Sequence, residues 1–154
     1  MSVHLLRQVE QLKKMILSLG AMVEESFQGA LTAIEERDPE LAKKVIESDK
    51  QIDLYEIEVE EECLHILALN QPVAFDMRYI VAVLKINNDL ERIADLSVNI
   101  AEQAHFLAEG DPISDMPFDV ERMSTLVRRM VRQSLDALVN IDIEMAEQVR
   151  KADD

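Results

Sequence analysis

The sequence predicts an all-α protein, a long antiparallel helical bundle, and three observations predict it. Apolar residues recur at steps of three and four along several long stretches, which draws one stripe down a helix and does not fit the period of a strand. Three glycines and four prolines in 154 residues, with 4% aromatic content, leave little material for hairpin turns or cross-strand pairs. The length and the 48% apolar content suit one helical domain with a substantial core.

The elements follow in order. Leu5, Val9, Leu12, Ile16, Leu19, Val23, Phe27, Ala30 and Ile34 form the seam of a first bundle helix. Arg37-Asp38-Pro39 stops it, because Asp38 can cap the next N-terminus and Pro39 suits a first helical position. Helix two then runs to about Leu69, with Leu41, Val45, Ile52, Val59, Cys63 and Ile66 as its apolar stripe and Asp49, Asp53, Glu56 and Glu60 as an acidic row beside it. Asn70-Gln71-Pro72 punctuates the chain, and proline fits only the first turn of a helix, so helix three is expected from about Pro72 to Ala108. Its core stripe reads Val83, Ile86, Leu90, Ile93, Ser97, Ile100, Ala104 and Leu107, and roughly opposite lie Asn88, Glu91, Asp95 and Asn99. Gly110-Asp111-Pro112 and Ser114-Asp115-Met116-Pro117 mark a loop. Helix four should begin near Phe118 and present Val120, Met123, Val127, Met130, Ser134, Leu138, Ile141 and Met145.

Sliding the sequence by 104 positions lays Leu31–Asp49 over Leu135–Asp153 with seven of nineteen residues identical. Among them are Asp38 with Asp142 and Asp49 with Asp153, so helix four reads as a second copy of helix one that continues into a second helix two. The apolar stripe of helix four must be covered. It can close a four-helix bundle within the chain, or swing out on the 110–117 loop and pack with a second chain, and the expectation is a homodimer.

A formal charge of −15 repels phosphodiester backbones and anionic headgroups, so nucleic-acid binding is not expected and cations or basic protein patches are. Cys63 is the lone cysteine; no intrachain disulfide can form, and its spacing with Ile52 and Val59 makes it a core thiol. No apolar run approaches the ~20 residues that a membrane span needs, and the N-terminus has no apolar h-region, so the protein is expected in the cytoplasm. No phosphate loop, activated nucleophile or metal motif with a built-in base appears, and an enzyme is not expected.

Two metal-ligand patterns compete. Glu62 with His65 and Glu102 with His105 repeat the Glu-x-x-His spacing of di-iron bundles. They cannot meet in one chain, since His65 lies about 9 Å and His105 about 51 Å from the turn at Gln71. They read as surface carboxylates with half-buried imidazoles. Asp49 and Asp53 on helix two match Glu91 and Asp95 on helix three in height, at about 27–33 Å and about 30–36 Å from the same turn. Each pair is at i and i+4, so its carboxylates share a face, and Asn99 could add an amide oxygen. Acidic faces are most often simply solvated, and Lys85 and Arg92 stand near enough to neutralise part of this one. Arg128, Arg129 and Arg132 have the same plain reading as interhelical partners of an acidic bundle.

The residues Leu67 to Ala74, with Gln71-Pro72-Val73-Ala74, then Arg78, Leu84-Lys85-Ile86, Asp89-Leu90-Glu91-Arg92-Ile93 and Asp95, resemble the motif region of the PhoU family of phosphate-uptake regulators. Asn70 stands where that family often has Arg, and Ala94 where it often has Gly. The resemblance implies two three-helix repeats in tandem, here a complete one over residues 1–109 and the start of a second over 117–154. It implies a metal site at Asp49, Asp53, Glu91 and Asp95, to which the helix spacing adds Asn99, for a divalent or trivalent ion such as Fe, Zn, Mn or Mg. It implies also a cytoplasmic negative regulator between a phosphate ABC transporter and a sensor histidine kinase. The alternatives are a metal-free helical dimerisation or scaffold module, and the cytosolic domain of a sodium/phosphate cotransporter.

Overall fold

The computed structural model describes residues 3–111 and 119–153. Its helices are α1 (Val3–Glu35), α2 (Pro39–Asn70), α3 (Ala74–Glu109), α4 (Val120–Asn140) and α5 (Ile143–Ala152). The first three pack on one another as a bundle, α4 lies along α1, and α5 folds back on α4.

The predicted stripes build the core. Leu12, Ile16, Leu19 and Val23 of α1 meet Val59, Cys63 and Ile66 of α2 and Ile80 and Val83 of α3, all with no measurable exposure. Each such side chain contributes roughly 1.5–3 kcal/mol by leaving water. Towards the far end the core turns small, with Ala30, Ala33, Ala42, Val45, Ala101 and Ala104 forming a second cluster. Small side chains there let the helix axes run closer together. Burial also pushes the Cys63 thiol up to about 12, with Glu62 and Glu60 adding to it, and keeps it an inert core residue.

Turns and caps set the bundle's geometry. Arg37 has φ 53°, and the Asp38 side chain accepts from the backbone N–H groups of Glu40 and Leu41 at 3.0 Å each. The same stop recurs 104 residues later: Ile141 has φ 55°, and Asp142 accepts from the Met145 N–H at 2.9 Å. Both helix ends close with matching backbone bonds, Asp38 N–H to the Ala33 carbonyl at 3.0 Å and Asp142 N–H to the Ala137 carbonyl at 2.9 Å. Arg37 also clamps the end of α3, donating to the carbonyls of Leu107 and Gly110. At the other end of the bundle the Asn70 amide donates to Gln8 Oε1 at 2.8 Å and fastens the α2–α3 turn to α1.

Several expectations need correction. Pro72 is not in a helix: Gln71 ends α2 in the left-handed region with φ 43°, and α3 starts two residues after Pro72, with Val73 as an N-cap that has no side-chain bond. The buried side of α3 is turned from the expected stripe, so that Asn87, Ala94 and Ala101 are enclosed, Ile86, Ile93 and Ile100 are half-buried, and Leu107 is exposed. Two packed neighbours select the residues that fit between them, and small or polar side chains won places that hydrophobicity alone would give to isoleucine. Helix four ends at Asn140, so Ile141 and Met145 do not extend its stripe; Ile141 is in the turn and Met145 in α5. The reading of residues 112–118 as a loop lies outside the described residues.

Within this chain α4 is docked, not swung out. A Cβ on Gly20 would lie 2.2 Å from Leu135 Cδ1, so the absence of a side chain at Gly20 makes the seat for Leu135. Glu24 of α1 receives Arg128 Nε at 3.0 Å and Arg132 Nε at 2.7 Å, and Arg128 reaches on to Gln28 at 2.8 Å. The two guanidinium groups, Arg132 first, hold the Glu24 carboxyl below the usual range against the opposing effect of burial. One flank of α4 stays uncovered, with Met123 and Leu126 about half exposed. Glu24→Ala should therefore cost about 1–3 kcal/mol in chemical unfolding. It should also speed amide exchange over residues 120–140 while leaving the centres of α1 to α3 protected.

Candidate metal centre

The α2–α3 hairpin places the acidic row of α2 against the polar stripe of α3. Both helices rise from the same turn by the same amount per residue, so residues at equal distance from Gln71 become neighbours. One oxygen each of Asp49, Asp53 and Asp95 lies within 4.8 Å of the others. A hard cation binds carboxylate oxygens at roughly 2.0–2.6 Å, so ligands around one ion are separated by up to about 5 Å, and the trio fits that size.

The surroundings raise the cost of ionising the cluster. Asp49 Oδ1 is buried and has no hydrogen-bond partner. Burial first, then the charges of Asp53 and Asp95, push the Asp49 carboxyl above the usual carboxylate range. Glu91 is half-buried and shifted the same way, by burial, by the charge of Asp95 and a side-chain hydrogen bond to it, and by Asp53 and Glu56. Among the described residues, ion pairs join Lys13 to Glu10, Lys43 to Glu47, and Arg128 and Arg132 to Glu24. Lys85 and Arg92 are in none of these pairs, whereas Arg128 and Arg132 act as interhelical partners. Asn99 is exposed one turn beyond Asp95 and makes no hydrogen bond to the carboxylates. His65 and His105 are both exposed, not half-buried, and belong to no metal-sized group among the described residues.

The structure also holds a residue that the motif reading passed over. Asn87 is fully buried, and its Nδ2 donates to the backbone carbonyl and to Oε1 of Glu56 at 3.0 and 2.9 Å. Its spacing with Val83, Leu90 and Ala94 was the available signal, a polar residue at a core position.

The family model described as "PhoU domain" matches residues 16–104 and 120–154. The chain belongs to the PhoU domain family. Among the curated relatives, the phosphate-specific transport system accessory protein PhoU homolog of Aquifex aeolicus is 36% identical over 151 residues, which is 97% of this chain and 67% of that protein. The accessory protein PhoU of Escherichia coli is 31% identical over 148 residues, 95% of this chain and 60% of its own length. The crystal structure of PhoU from Pseudomonas aeruginosa superposes with a TM-score of 0.85 at 34% identity, covering 96% of this chain and 70% of that one. The phosphate transport system regulatory protein PhoU of Streptococcus pneumoniae superposes with a TM-score of 0.86 at 25% identity, covering 97% and 70%. This PhoU-family chain thus spans about 57–67% of the length of the curated relatives it matches.

Raised carboxyl groups carry a definite sign. A carboxyl whose folded pKa lies above its unfolded value contributes stability below the unfolded pKa and loses it as pH rises through the folded one. In the metal-free protein, Asp49→Asn should therefore raise the melting temperature at pH 7. The gain should shrink and vanish as pH falls below the ordinary aspartate value of 3.8, which a set of melting curves from pH 7 to pH 3 would check.

Proposed function

We propose that this chain is a metal-binding regulatory adaptor of phosphate-specific transport. In this reading it represses phosphate uptake and phosphate-starvation signalling by linking the phosphate ABC transporter to its sensor histidine kinase, on the cytoplasmic side. The observation that carries the metal part is the convergence of Asp49, Asp53 and Asp95 from two helices onto one ion-sized space, with a buried Asp49 oxygen lacking any protein partner. These three would hold the ion, with Glu91 beside them; an all-oxygen set suits Mg²⁺, Mn²⁺ or iron better than a thiophilic metal. A bound cation would supply the charge compensation that no side chain here supplies. The adaptor part is supported by the names of the relatives, which describe accessory and regulatory proteins of phosphate transport. No described helix is long and apolar enough to cross a membrane, so contact with a transporter would be made at its surface.

The oligomeric part of the reading is a homodimer through α4 and α5. Its support is the uncovered flank of α4 and the exposed Ile141 and Ile143 at the α4–α5 corner. Sedimentation of the protein at high concentration should give a dimer, and a clean monomer overturns that part alone.

The metal part is tested by thermal unfolding in chelator and in Mn²⁺, Fe²⁺ or Mg²⁺. Binding only to the folded state should raise the midpoint of the parent protein, by the equivalent of about 2.7 kcal/mol at one hundred times the dissociation constant, and leave Asp95→Ala unmoved. An unshifted parent with all three metals leaves the metal-free scaffold reading.

A further inference from the structure

We propose that the metal centre extends one helical turn further toward the α2–α3 turn than the paired acidic motifs reach, with Glu56 as an additional carboxylate ligand and Asn87 as the residue that positions it. The proposal rests on the metal reading above and adds two residues to it.

Register comes first. Glu56 lies three residues after Asp53 on α2, and Asn87 four residues before Glu91 on α3, so each sits one turn along the same face from a residue of the candidate site. Counted from Gln71 their heights agree, at about 22 and about 24 Å. The structure confirms the meeting, since the Asn87 amide nitrogen donates to both the main chain and the carboxylate of Glu56. Two bonds from one nitrogen to one residue fix where that carboxylate sits. A glutamate on a helix surface otherwise samples many rotamers in water.

Burial supplies the second argument. Asn87 has no exposed surface, and its Oδ1 is enclosed without a partner. An apolar residue would fill this core position at lower cost, because a buried amide with one end unsatisfied is unfavourable. What Asn87 does in return is hold an acid where acids already crowd. Glu56 lies on the same acidic row as Asp53 and Glu60, and Asn87, which holds it, is one turn from Glu91. A device that presses a carboxylate toward other carboxylates fits a site built to receive a cation. Neither Glu56 nor Glu91 belongs to the trio within 4.8 Å; both stand at the rim of the proposed ion space, Glu56 on the side toward the α2–α3 turn. Fixing ligating carboxylates by an outer hydrogen bond is the usual way a protein tunes metal affinity. Glu60 provides the contrast, being exposed on the same row with no such bond.

The test is titration of the metal-free protein with Mn²⁺ by calorimetry, with thermal unfolding of each variant in chelator. Glu56→Gln keeps an oxygen for Asn87 and removes only the charge; Asn87→Leu keeps the core filled and removes the hold. Both should weaken Mn²⁺ binding by roughly 10- to 100-fold. Glu60→Gln should change it by less than about threefold, the effect expected of an exposed, screened charge. A merely structural Asn87 would lower the metal-free midpoint and leave the affinity alone, which overturns the proposal. Equal losses from Glu56→Gln and Glu60→Gln would do the same, since they reduce Glu56 to one more distant charge. If Asp95→Ala abolishes binding while the Glu56 and Asn87 variants bind as the parent does, the metal centre stands and this extension falls. If the parent takes up no Mn²⁺, both fall together.

Discussion

The antiparallel pairing of α2 with α3 is the constraint on which the rest depends. Two helices that leave one turn at the same rise per residue can only bring equal distances together. Single side chains tie the bundle at both ends, Asn70 at the α2–α3 turn to Gln8 of α1, and Arg37 of the α1–α2 turn to the last carbonyls of α3. Between those anchors the register cannot slip by a turn without pulling Val59, Cys63 and Ile66 away from Ile80 and Val83. The hydrophobic core therefore sets the spacing of the carboxylates, and the carboxylates accept the repulsion that follows.

That repulsion is tolerable because stability comes from elsewhere. The long apolar seam of α1 touches both other helices, and its fully buried leucine, isoleucine and valine side chains outweigh a few unfavourable charges on the far face. Electrostatically shifted groups in an otherwise well-packed protein cluster at functional sites and in structural ion networks alike. Here the raised carboxyl groups are Asp49, Glu56 and Glu91, all on one side of the α2–α3 pair. The lowered one, Glu24, lies at the α1–α4 contact and has the opposite role, since its two arginines make ionisation favourable and hold the second unit in place.

The recurrence of the α1–α2 corner at the α4–α5 corner has a stereochemical content beyond identity counts. Arg37 and Ile141 both take a left-handed conformation that a side chain disfavours, the latter with a β-branched side chain, and an aspartate follows each to cap the next helix. In the first corner the arginine's guanidinium reaches α3. The second corner has isoleucine at that place and offers no such clamp. The two units share the turn and differ in what the turn holds.

By itself the sequence determined the class, the order of α1 to α4, the cap at Asp38, the inert Cys63 and the level at which Asp49 and Asp53 meet Glu91 and Asp95. These follow from local chemistry and from counting, because helical period, capping and rise per residue hold regardless of what packs alongside. Tertiary structure alone decided the roll of α3 about its axis, which buried Asn87, Ala94 and Ala101 in place of Ile86, Ile93 and Ile100. The period is the same for either choice; only the shape left between α1 and α2 distinguishes them. It also decided that Asp95 closes the trio more tightly than Glu91, that Asn99 stands apart, and that Asn87 grips Glu56. Such choices turn on ångström-scale differences in where a side chain points, and a spacing in the sequence places a residue on a face without fixing its reach.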